Sequence, residues 1–478
     1  MSNMALSSNI IIKESKAFSE GKVSKVLLKF AIPAIISLFV AELYNMVDTI
    51  FVGRAIGATA VGALTIAFPI QRLIISVGLL IAVGASTAVA RSLGEGSLGR
   101  IKYIVMNALT LMLIGIFTLT VFIYRFKDSI IKHLGATDNI FPFANEYISI
   151  VILGSLFQCF TVIVGYIMTS LGNAKTNLIA NSIGAIGNII LDYILVINFA
   201  QGIKGAAIAT VVSQIIAAFY ALYHFLKIKN KFNISFTLRL NKEFSLSIIA
   251  VGFSTFIIEI SDAVVAAILN NILSSNGDLA IIIVGVISKV SMFLYITVIG
   301  MTSAMQPIVS YNYGAKNFTR LKEVVKKSIK ALTITSTILW LLMMVFAGPV
   351  ISTFIKEKDI LIEAVKAFRI VISIFPIVGI YFIAIYYYQS IEEAKISFVL
   401  SIYRQLLIFI PIVFILVKNF GLVGAWIAYP VSDIISAFTG LYYMKKAKEA
   451  MEDRYEEYEG ITNEKKIYGK ALNNVREA

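Results

Sequence analysis

The sequence predicts an all-α integral membrane protein with twelve transmembrane helices in two six-helix lobes, related by a parallel internal repeat. Composition, the length of the apolar segments and internal repetition support this prediction. Hydrophobic residues make up 58% of the 478 residues and charged residues only 15%. The mean hydropathy of +0.84 lies outside the range of ordinary soluble domains. A continuous apolar segment of about 20 residues is long enough to cross a bilayer as a helix.

Twelve segments of the chain reach this length, six in each half. Several exceed the minimum, so we expect tilted or kinked helices, or helix ends that protrude from the bilayer. In the first half the segments are Leu27–Val52, Ala60–Ala90, Ile104–Tyr124, Phe141–Leu171, Leu178–Phe199 and Gly205–Leu226. In the second half they are Phe244–Leu273, Ala280–Val309, Val324–Phe354, Ile360–Ile391, Ile396–Val417 and Leu422–Met444.

The repeat is visible directly in the sequence. Gly202–Ser213 returns 219 positions later as Gly421–Ser432, with both glycines, the following alanine, an Ile-Ala pair and the closing Val-Ser retained. Such repetition in an apolar chain indicates two homologous membrane bundles, and the substrate path of such proteins usually lies between them. Shorter pairs with nearly the same offset are Gly94 with Gly314 and Ala174-Lys175 with Ala394-Lys395.

Six crossings return the chain to its starting side of the membrane, so both halves insert in the same orientation. We therefore predict a pseudo-two-fold axis along the membrane normal. The polar stretch between spans 6 and 7 is the predicted boundary between the halves. The predicted division is 1–25 as an N-terminal tail, 26–226 as the N-terminal lobe, 227–243 as a linker, 244–446 as the C-terminal lobe and 447–478 as a C-terminal tail.

The basic residues orient the predicted helices. With both termini placed in the cytoplasm, most of the 42 Lys and Arg residues fall in cytoplasmic tails and loops, as the positive-inside rule requires. We therefore predict a multi-pass protein of the plasma membrane with two cytoplasmic termini. This distribution accounts for the net charge of +14. Because the charges are spread over the loops of one membrane face, it also argues against nucleic-acid binding.

Three motifs occupy spans 1, 5 and 8. They are Pro33 with Asn45–Gly53, Asn188–Asp192 and Gln306–Gly314. In these motifs, and in their positions among the spans, nearly the whole chain resembles the multidrug and toxic compound extrusion (MATE) transporters. The resemblance implies two six-helix lobes and an efflux activity driven by an inward gradient of H⁺ or Na⁺.

Polar groups inside the spans are the candidate functional groups, because a charged side chain at mid-bilayer costs about 2.5–3.5 kcal/mol even on insertion scales. Asn188 and Asp192 share one face of helix 5, Thr210 lies in span 6 and Asp48 in span 1. Their carboxylate, amide and hydroxyl oxygens suit a small hard cation, and two close carboxylates equally suit a proton site. The resemblance implies the same residues, since family members with a cation site in the N-terminal lobe have this pattern.

The internal repeat provides a control for this hypothesis. Polar residues that only pack a shared scaffold would be expected in both copies. None of the four identities recurs, so the asymmetry favours a dedicated ion site in the N-terminal lobe. The alternative is that the aspartates are interhelical hydrogen-bond partners without a role in transport. The residues that correspond to Asp48, Asn188, Asp192 and Thr210, 219 positions later, are Ala267, Leu407, Pro411 and Tyr429.

The second half has charged residues of its own within the spans. Glu259 and Asp262 lie in span 7 and Lys289 in span 8, so opposite charges predict an ion pair of Lys289 with Glu259 or Asp262. One interpretation is purely structural pairing. The other, implied by related branches of the family, is that Glu259 titrates as a second coupling site. Span 10 has no acidic residue between Val371 and Tyr388, which argues against a coupling network in this lobe.

A substrate cavity between the lobes is predicted to include Phe68, Gln71, Gln158 and Gln306. An aromatic and sparsely polar lining suits flat, lipophilic, often cationic drug-like compounds through stacking and cation–π contacts. With 32 Phe and 22 Tyr in the chain, most aromatic side chains must face lipid or other helices. Individual substrate contacts are therefore not assigned.

Other classes of function have less support. The sequence lacks the phosphate-binding loop of an ATP-driven pump, and it shows no nucleophile–base pair or metal cluster of an enzyme. The prediction is cation–drug antiport by alternating access in a functional monomer, with no cofactor and no metal beyond a coupling H⁺ or Na⁺. The alternative is a flippase for lipid-linked or anionic precursors, which would need Arg72, Arg369 and Arg404 to form a basic cavity. The choice between H⁺ and Na⁺ stays open.

Overall fold

A computed structural model describes residues 18–232, 234, 238–274, 278–355 and 357–477. Residues 1–17 of the predicted N-terminal tail lie outside the described residues.

The first half contains α1 (Val23–Ala55), α2 (Ala58–Gly94), α3 (Leu98–His133), α4 (Phe141–Ser170), α5 (Ala174–Asp192, continued as π-helix over Tyr193–Asn198) and α6 (Gly202–Lys231). The second half contains α7 (Lys242–Ser274), α8 (Asp278–Gly314), α9 (Phe318–Ile351), α10a (Lys358–Val371), α10b (Phe375–Ser390), α11 (Ala394–Ile402, then π-helix Tyr403–Phe409, then Ile410–Phe420) and α12 (Leu422–Glu477).

The predicted fold class is confirmed. In the described ranges, eleven helices are long and apolar enough to cross a bilayer, and the bent pair α10a–α10b supplies a twelfth span. Several helices extend past their apolar segments, as α3 does by beginning at Leu98, because polar residues at the membrane interface continue the helix. α6 ends at Lys231 and α7 begins at Lys242, so both helices extend into the predicted linker 227–243, whose boundaries stay a prediction.

The tenth span differs from its prediction as a single helix. It is broken between Val371 and Phe375, and its two parts are inclined by 49°. Pro376 lies in the first turn of α10b. Backbone N–H groups in the first turn of a helix have no intrahelical acceptor, so a proline there costs no hydrogen bond. In the middle of a continuous helix the same residue would clash with the preceding turn. The proline therefore explains the break.

The repeat is reproduced in the backbone as well as in the sequence. Gly96 and Lys316, which are 220 positions apart, both follow a long helix with positive φ, +70° and +55°. Each N–H closes the end of its helix by donating to the carbonyl group three residues earlier, at 3.2 and 3.1 Å. Gly172 and Glu392 form a second such pair, with φ of +99° and +61°. Equivalent helices of the two halves thus end in the same left-handed turn.

The two halves meet mainly along four helices. Within the first half, α2 packs against α3 and α4, α4 against α6, and α1 against α5. Across the halves, α2 packs along α7 and α8, and α1 packs along α8. A path between the halves would therefore be bordered mainly by α1, α2, α7 and α8.

At their C-terminal ends, α2 and α8 cross with their backbones in contact. A Cβ added at Gly94 would lie 2.0 Å from the Tyr311 carbonyl oxygen, and one added at Gly314 would lie 2.3 Å from the Arg91 carbonyl oxygen. Both residues of each contact correspond under the repeat, so the contact is symmetric about the pseudo-two-fold axis. Only glycine allows so close an approach. We refer to these four residues as the α2–α8 crossing.

Two more contacts close the same side of the molecule. A Cβ at Gly84 in α2 would lie 2.0 Å from the carbonyl oxygen of Ile248 in α7. Arg91 Nη1 also forms an ion pair with Glu392 Oε2 at 2.7 Å, between the end of α2 and the turn after α10b. The halves are therefore joined by backbone packing and by charge where α2 and α8 end.

Candidate ion site and interlobe cleft

The four residues predicted as an ion site lie together inside the first half. Asp48 extends from α1, Asn188 and Asp192 from successive turns of α5, and Thr210 from α6. All four are buried, with relative exposures of 7% for Asp48, 0% for Asn188 and Asp192, and 3% for Thr210. Three helices thus bring these oxygens to one place, which is shielded from lipid and from water.

Hydrogen bonds connect the members of this cluster. In the amide orientation that satisfies both of its ends, Asn188 donates to Asp192 Oδ2 at 3.0 Å, and its carbonyl oxygen accepts the Thr210 N–H at 3.3 Å. The Thr210 hydroxyl donates to the Ala206 carbonyl oxygen at 3.0 Å. Asn188 is therefore a positioning residue that joins α5 to α6 and orients the Asp192 carboxylate.

The carboxyl groups of Asp48 and Asp192 lie within hydrogen-bonding reach of each other. Asp48 Oδ1 and Asp192 Oδ1 are both buried and accept no hydrogen bond from the described residues. Two carboxylates cannot both stay ionised and unshielded at such short range in a dry interior. The pair requires a shared proton or a bound cation, and its unpartnered oxygens provide ligands for either.

Two tyrosines surround this pair and were not found by sequence reasoning. Tyr44 lies one turn before Asp48 on α1 and interacts electrostatically with both carboxylates. Tyr147 projects from α4, and its phenol group lies within hydrogen-bonding reach of the Thr210 and Gln71 side chains. Tyr44 could have been suspected from its spacing of four residues from Asp48. No signal in the sequence marks Tyr147.

A local irregularity in α5 follows the site directly. The α-helix ends at Asp192, and the next six residues, Tyr193–Asn198, form a π-helix. Such segments are rare and occur frequently at functional sites, because they interrupt the regular hydrogen bonds of a helix. The carboxylate is thus placed at the junction between the two helical forms.

The charged residues of the second half form different pairs from those predicted. Glu259 of α7 pairs with Arg72 of α2, with 3.1 Å between Arg72 Nη1 and Glu259 Oε2, so its predicted pairing with Lys289 is wrong. Asp262 accepts a hydrogen bond from the Gln405 side chain. The reason is that α7 packs extensively along α2 and only slightly along α8, so the nearest cation belongs to the other half.

A buried ion pair in the second half also escaped the sequence analysis. Arg404 in the π-helical part of α11 forms a salt bridge with Asp433 of α12, with 2.9 Å between Nη2 and Oδ1. The same nitrogen donates to the Tyr295 hydroxyl at 2.7 Å. A guanidinium with these two partners ties α8, α11 and α12 together. The sequence feature that could have indicated this ion pair is Asp433, an acidic residue within the last span.

The predicted cavity residues lie in different environments. Phe68 is half exposed at 50%, with the Arg72 guanidinium 5.0 Å from its ring centre, whereas Gln71 and Gln158 are partly buried. Gln306 is only 2% exposed and donates to Gln389 Oε1 at 3.0 Å. It therefore bridges α8 and α10b in this structure, and its place in a substrate cavity stays a prediction.

Comparison with known proteins places this geometry in context. A family model described as MatE matches residues 33–194 and 251–415, one segment in each half of the chain. The multidrug export protein MepA of Staphylococcus aureus is 24% identical over 430 residues, which cover 89% of this chain and 94% of that protein. MepA of Staphylococcus saprophyticus is 22% identical over 426 residues, with the same coverage of both chains.

Solved structures agree with this match at the level of the fold. The structure described as an outward-facing multidrug resistance MATE family transporter of the MOP superfamily has a TM-score of 0.86 and 24% identity, over 92% of this chain and 99% of that one. A MATE in the straight conformation has a TM-score of 0.87 at 24% identity, with the same coverage. The twelve-helix arrangement is therefore shared with these proteins.

Proposed function

The chain belongs to the MatE family, and from this premise we propose that it is a secondary transporter that exports lipophilic, cationic drug-like compounds in exchange for H⁺ or Na⁺. The observation that carries the proposal is the buried pair of carboxylates, Asp48 and Asp192. One oxygen of each, Asp48 Oδ1 and Asp192 Oδ1, accepts no hydrogen bond from the described residues, and the neighbouring side chains Asn188 and Thr210 are neutral. Such a pair has a strong requirement for one positive charge, which either coupling ion meets.

Coupling follows from the electrostatics of this site. An entering cation neutralises the carboxylate pair and removes the repulsion between α1 and α5, which carry its two members. Each elementary charge that moves down the membrane potential supplies about 2.3 kcal/mol per 100 mV. One or two ions per cycle can therefore drive a substantial drug gradient. Asn188 and Tyr147 hold the surrounding groups in place while the charge changes.

Alternating access requires that the halves separate on one side while they join on the other. With both termini cytoplasmic, the α2–α8 crossing and the Arg91–Glu392 ion pair lie on the cytoplasmic side. Their close packing supports a conformation that is closed to the cytoplasm and can accept ions from outside. Release of this crossing would open the drug path to the inside.

The substrate class is supported by the relatives and by the cleft. The curated relatives are multidrug export proteins. In this chain the half-exposed Phe68 ring and the Glu259 carboxylate both contact Arg72. A lipophilic cation that displaced the Arg72 guanidinium would meet an aromatic face beside a carboxylate.

The flippase alternative has less support, because its three arginines are already engaged. Arg72 pairs with Glu259 and Arg404 with Asp433. Arg369 Nε donates to the Met344 carbonyl oxygen at 3.1 Å. They lie on different helices and do not form a shared basic cavity for an anionic headgroup.

Ethidium efflux from vesicles, with H⁺ and Na⁺ gradients imposed separately, tests the proposal. We expect Asp48→Asn and Asp192→Asn each to reduce gradient-driven efflux at least about tenfold, because a neutral amide needs no coupling ion. Asp138→Asn is the matched control, since Asp138 is exposed between α3 and α4. Undiminished efflux in both site variants would reject the proposal. Lipid scrambling without ethidium movement would favour the flippase.

A further inference from the structure

A groove on the outside of the first half is separate from the ion site and the cleft. It lies between α3 and α6, with α4 as its floor, and has a volume of about 400 Å³. This volume falls within the about 300–1,000 Å³ typical of ligand sites. Residues that line it include Met106 and Leu109 of α3, Phe157 of α4, and Phe219, Leu222 and Lys229 of α6.

The groove exists because α4 packs against both neighbours, whereas α3 and α6 diverge on either side of it. α4 is in extensive contact with α3 and with α6. The inner wall is well packed, with Met106 and Leu109 at 5% and 4% exposure. The rim is open, with Phe219 66% and Phe157 36% exposed. An apolar rim on transmembrane helices faces lipid, so the groove opens sideways into the membrane.

The dimensions of the groove match those of one lipid leaflet. Its residues on α6 extend from Ile215 to Lys229, which is about 20 Å at 1.5 Å per residue. One leaflet contributes about 15 Å, half of the hydrocarbon core. The groove therefore extends from the membrane surface to beyond the midplane, the depth that an extended acyl chain occupies.

A single charge marks one end of this apolar groove. Lys229 lies in the last turn of α6, next to the predicted cytoplasmic linker. Its ammonium group forms no salt bridge with another described residue. Every other lining residue is apolar, so the site has hydrocarbon-facing walls and one cation at the level of the headgroups.

We propose that the α3–α4–α6 groove is a binding site for an anionic phospholipid, whose acyl chain lies along α4 and whose phosphate pairs with Lys229. Basic pockets between transmembrane helices on the cytoplasmic side bind anionic headgroups in this way. The positive charge disfavours the cationic substrates of the proposed transport reaction. The lipid would fill the space between α3 and α6 and hold the first half as a unit.

Native mass spectrometry of the delipidated full chain tests this site by titration with phosphatidylglycerol or phosphatidylcholine of identical acyl chains. We expect one phosphatidylglycerol to bind about fivefold more tightly than phosphatidylcholine, the preference that one lysine near the surface provides. Lys229→Gln should abolish this preference and Lys229→Arg should retain it. Leu222→Trp should weaken the binding of both lipids by filling the groove.

Lys227→Gln is the matched control, because Lys227 is only two residues away but points to another side of α6, with its ammonium 4.2 Å from the centre of the Tyr223 ring, and does not line the groove. Equal binding of the two lipids by the unmodified chain would overturn the proposal. Equal loss of the preference for phosphatidylglycerol in Lys227→Gln and Lys229→Gln would also overturn the proposal. Displacement of phosphatidylglycerol by ethidium would instead indicate a route for substrate.

Discussion

Asp48, Asn188, Asp192 and Thr210 could be identified from sequence because each is polar within a segment that is otherwise apolar. In a bilayer, such residues persist only where a partner or a function requires them, so their rarity carries information. Tyr147 carries no such signal, since it is one of 22 tyrosines and tyrosine is common in membrane helices. Its proximity to Thr210 depends on how α4 packs against α6, which spacing along the chain does not determine.

We expect Tyr147→Phe to weaken coupling without abolishing it. The change removes one hydroxyl within reach of Thr210 and Gln71, and a single hydrogen bond contributes about 0.5–1.5 kcal/mol. The concentration of the coupling ion that gives half-maximal ethidium efflux should therefore rise about two- to tenfold. Tyr124→Phe, at an exposed position on α3, should leave it unchanged. An unchanged ion dependence in Tyr147→Phe would exclude that residue from the site.

The pairing of Glu259 with Arg72 marks another limit of sequence reasoning. Opposite charges in consecutive spans 7 and 8 were a reasonable basis for predicting a pair. Which charges meet, however, depends on which helices are neighbours, and α7 packs mainly on α2. In a doubled fold, partners across the halves are as close as partners within one half.

At the level of helices, the apolar segments predicted all twelve spans, but not their internal irregularities. The bend of α10 follows Pro376, which the sequence displays, whereas the π-helical parts of α5 and α11 have no residue signature. π-helical turns are rare and occur mostly as single turns inside α-helices. The positions of the two found here could not be predicted from the spacing of apolar residues.

The helix ends that recur in both halves lead to a prediction about stability. Gly96 and Lys316 occupy the same left-handed turn, where a side chain costs roughly 1–2 kcal/mol. Gly96→Ala should therefore lower the melting temperature in detergent. Gly99→Ala is the control, because its φ is not positive and an added Cβ there meets nothing within 4 Å; inside α3 this change should not lower the melting temperature. A melting temperature of Gly96→Ala no lower than that of the unmodified chain would show that this turn is unstrained.

For the whole molecule, the sequence repeat predicted two similar halves but not where they touch. The α2–α8 crossing arises because the pseudo-two-fold axis brings equivalent helix ends together, and only glycines at both positions allow backbone contact. Gly94 and Gly314 were part of the repeat found in the sequence. Their role was not visible there, because a glycine near a helix end is more often explained by the turn that follows.

The α2–α8 crossing should control which side of the molecule is open. In Gly94→Ala or Gly314→Ala, the added methyl group would lie 2.0 or 2.3 Å from a carbonyl oxygen of the opposite helix, so the backbones must separate. Overpacking of this kind costs about 1–3 kcal/mol, enough to shift a two-state equilibrium about tenfold.

Spin labels at Lys102 and Lys322, in a chain with Cys159 replaced by alanine, should then report a larger population of long distances. Gly99→Ala, which adds the same methyl group at a position on α3 with nothing within 4 Å, should leave the distances unchanged. If both crossing variants kept the distances of the unmodified chain and transported at its rate, the crossing would be a passive contact and another part of the interface would have to control access.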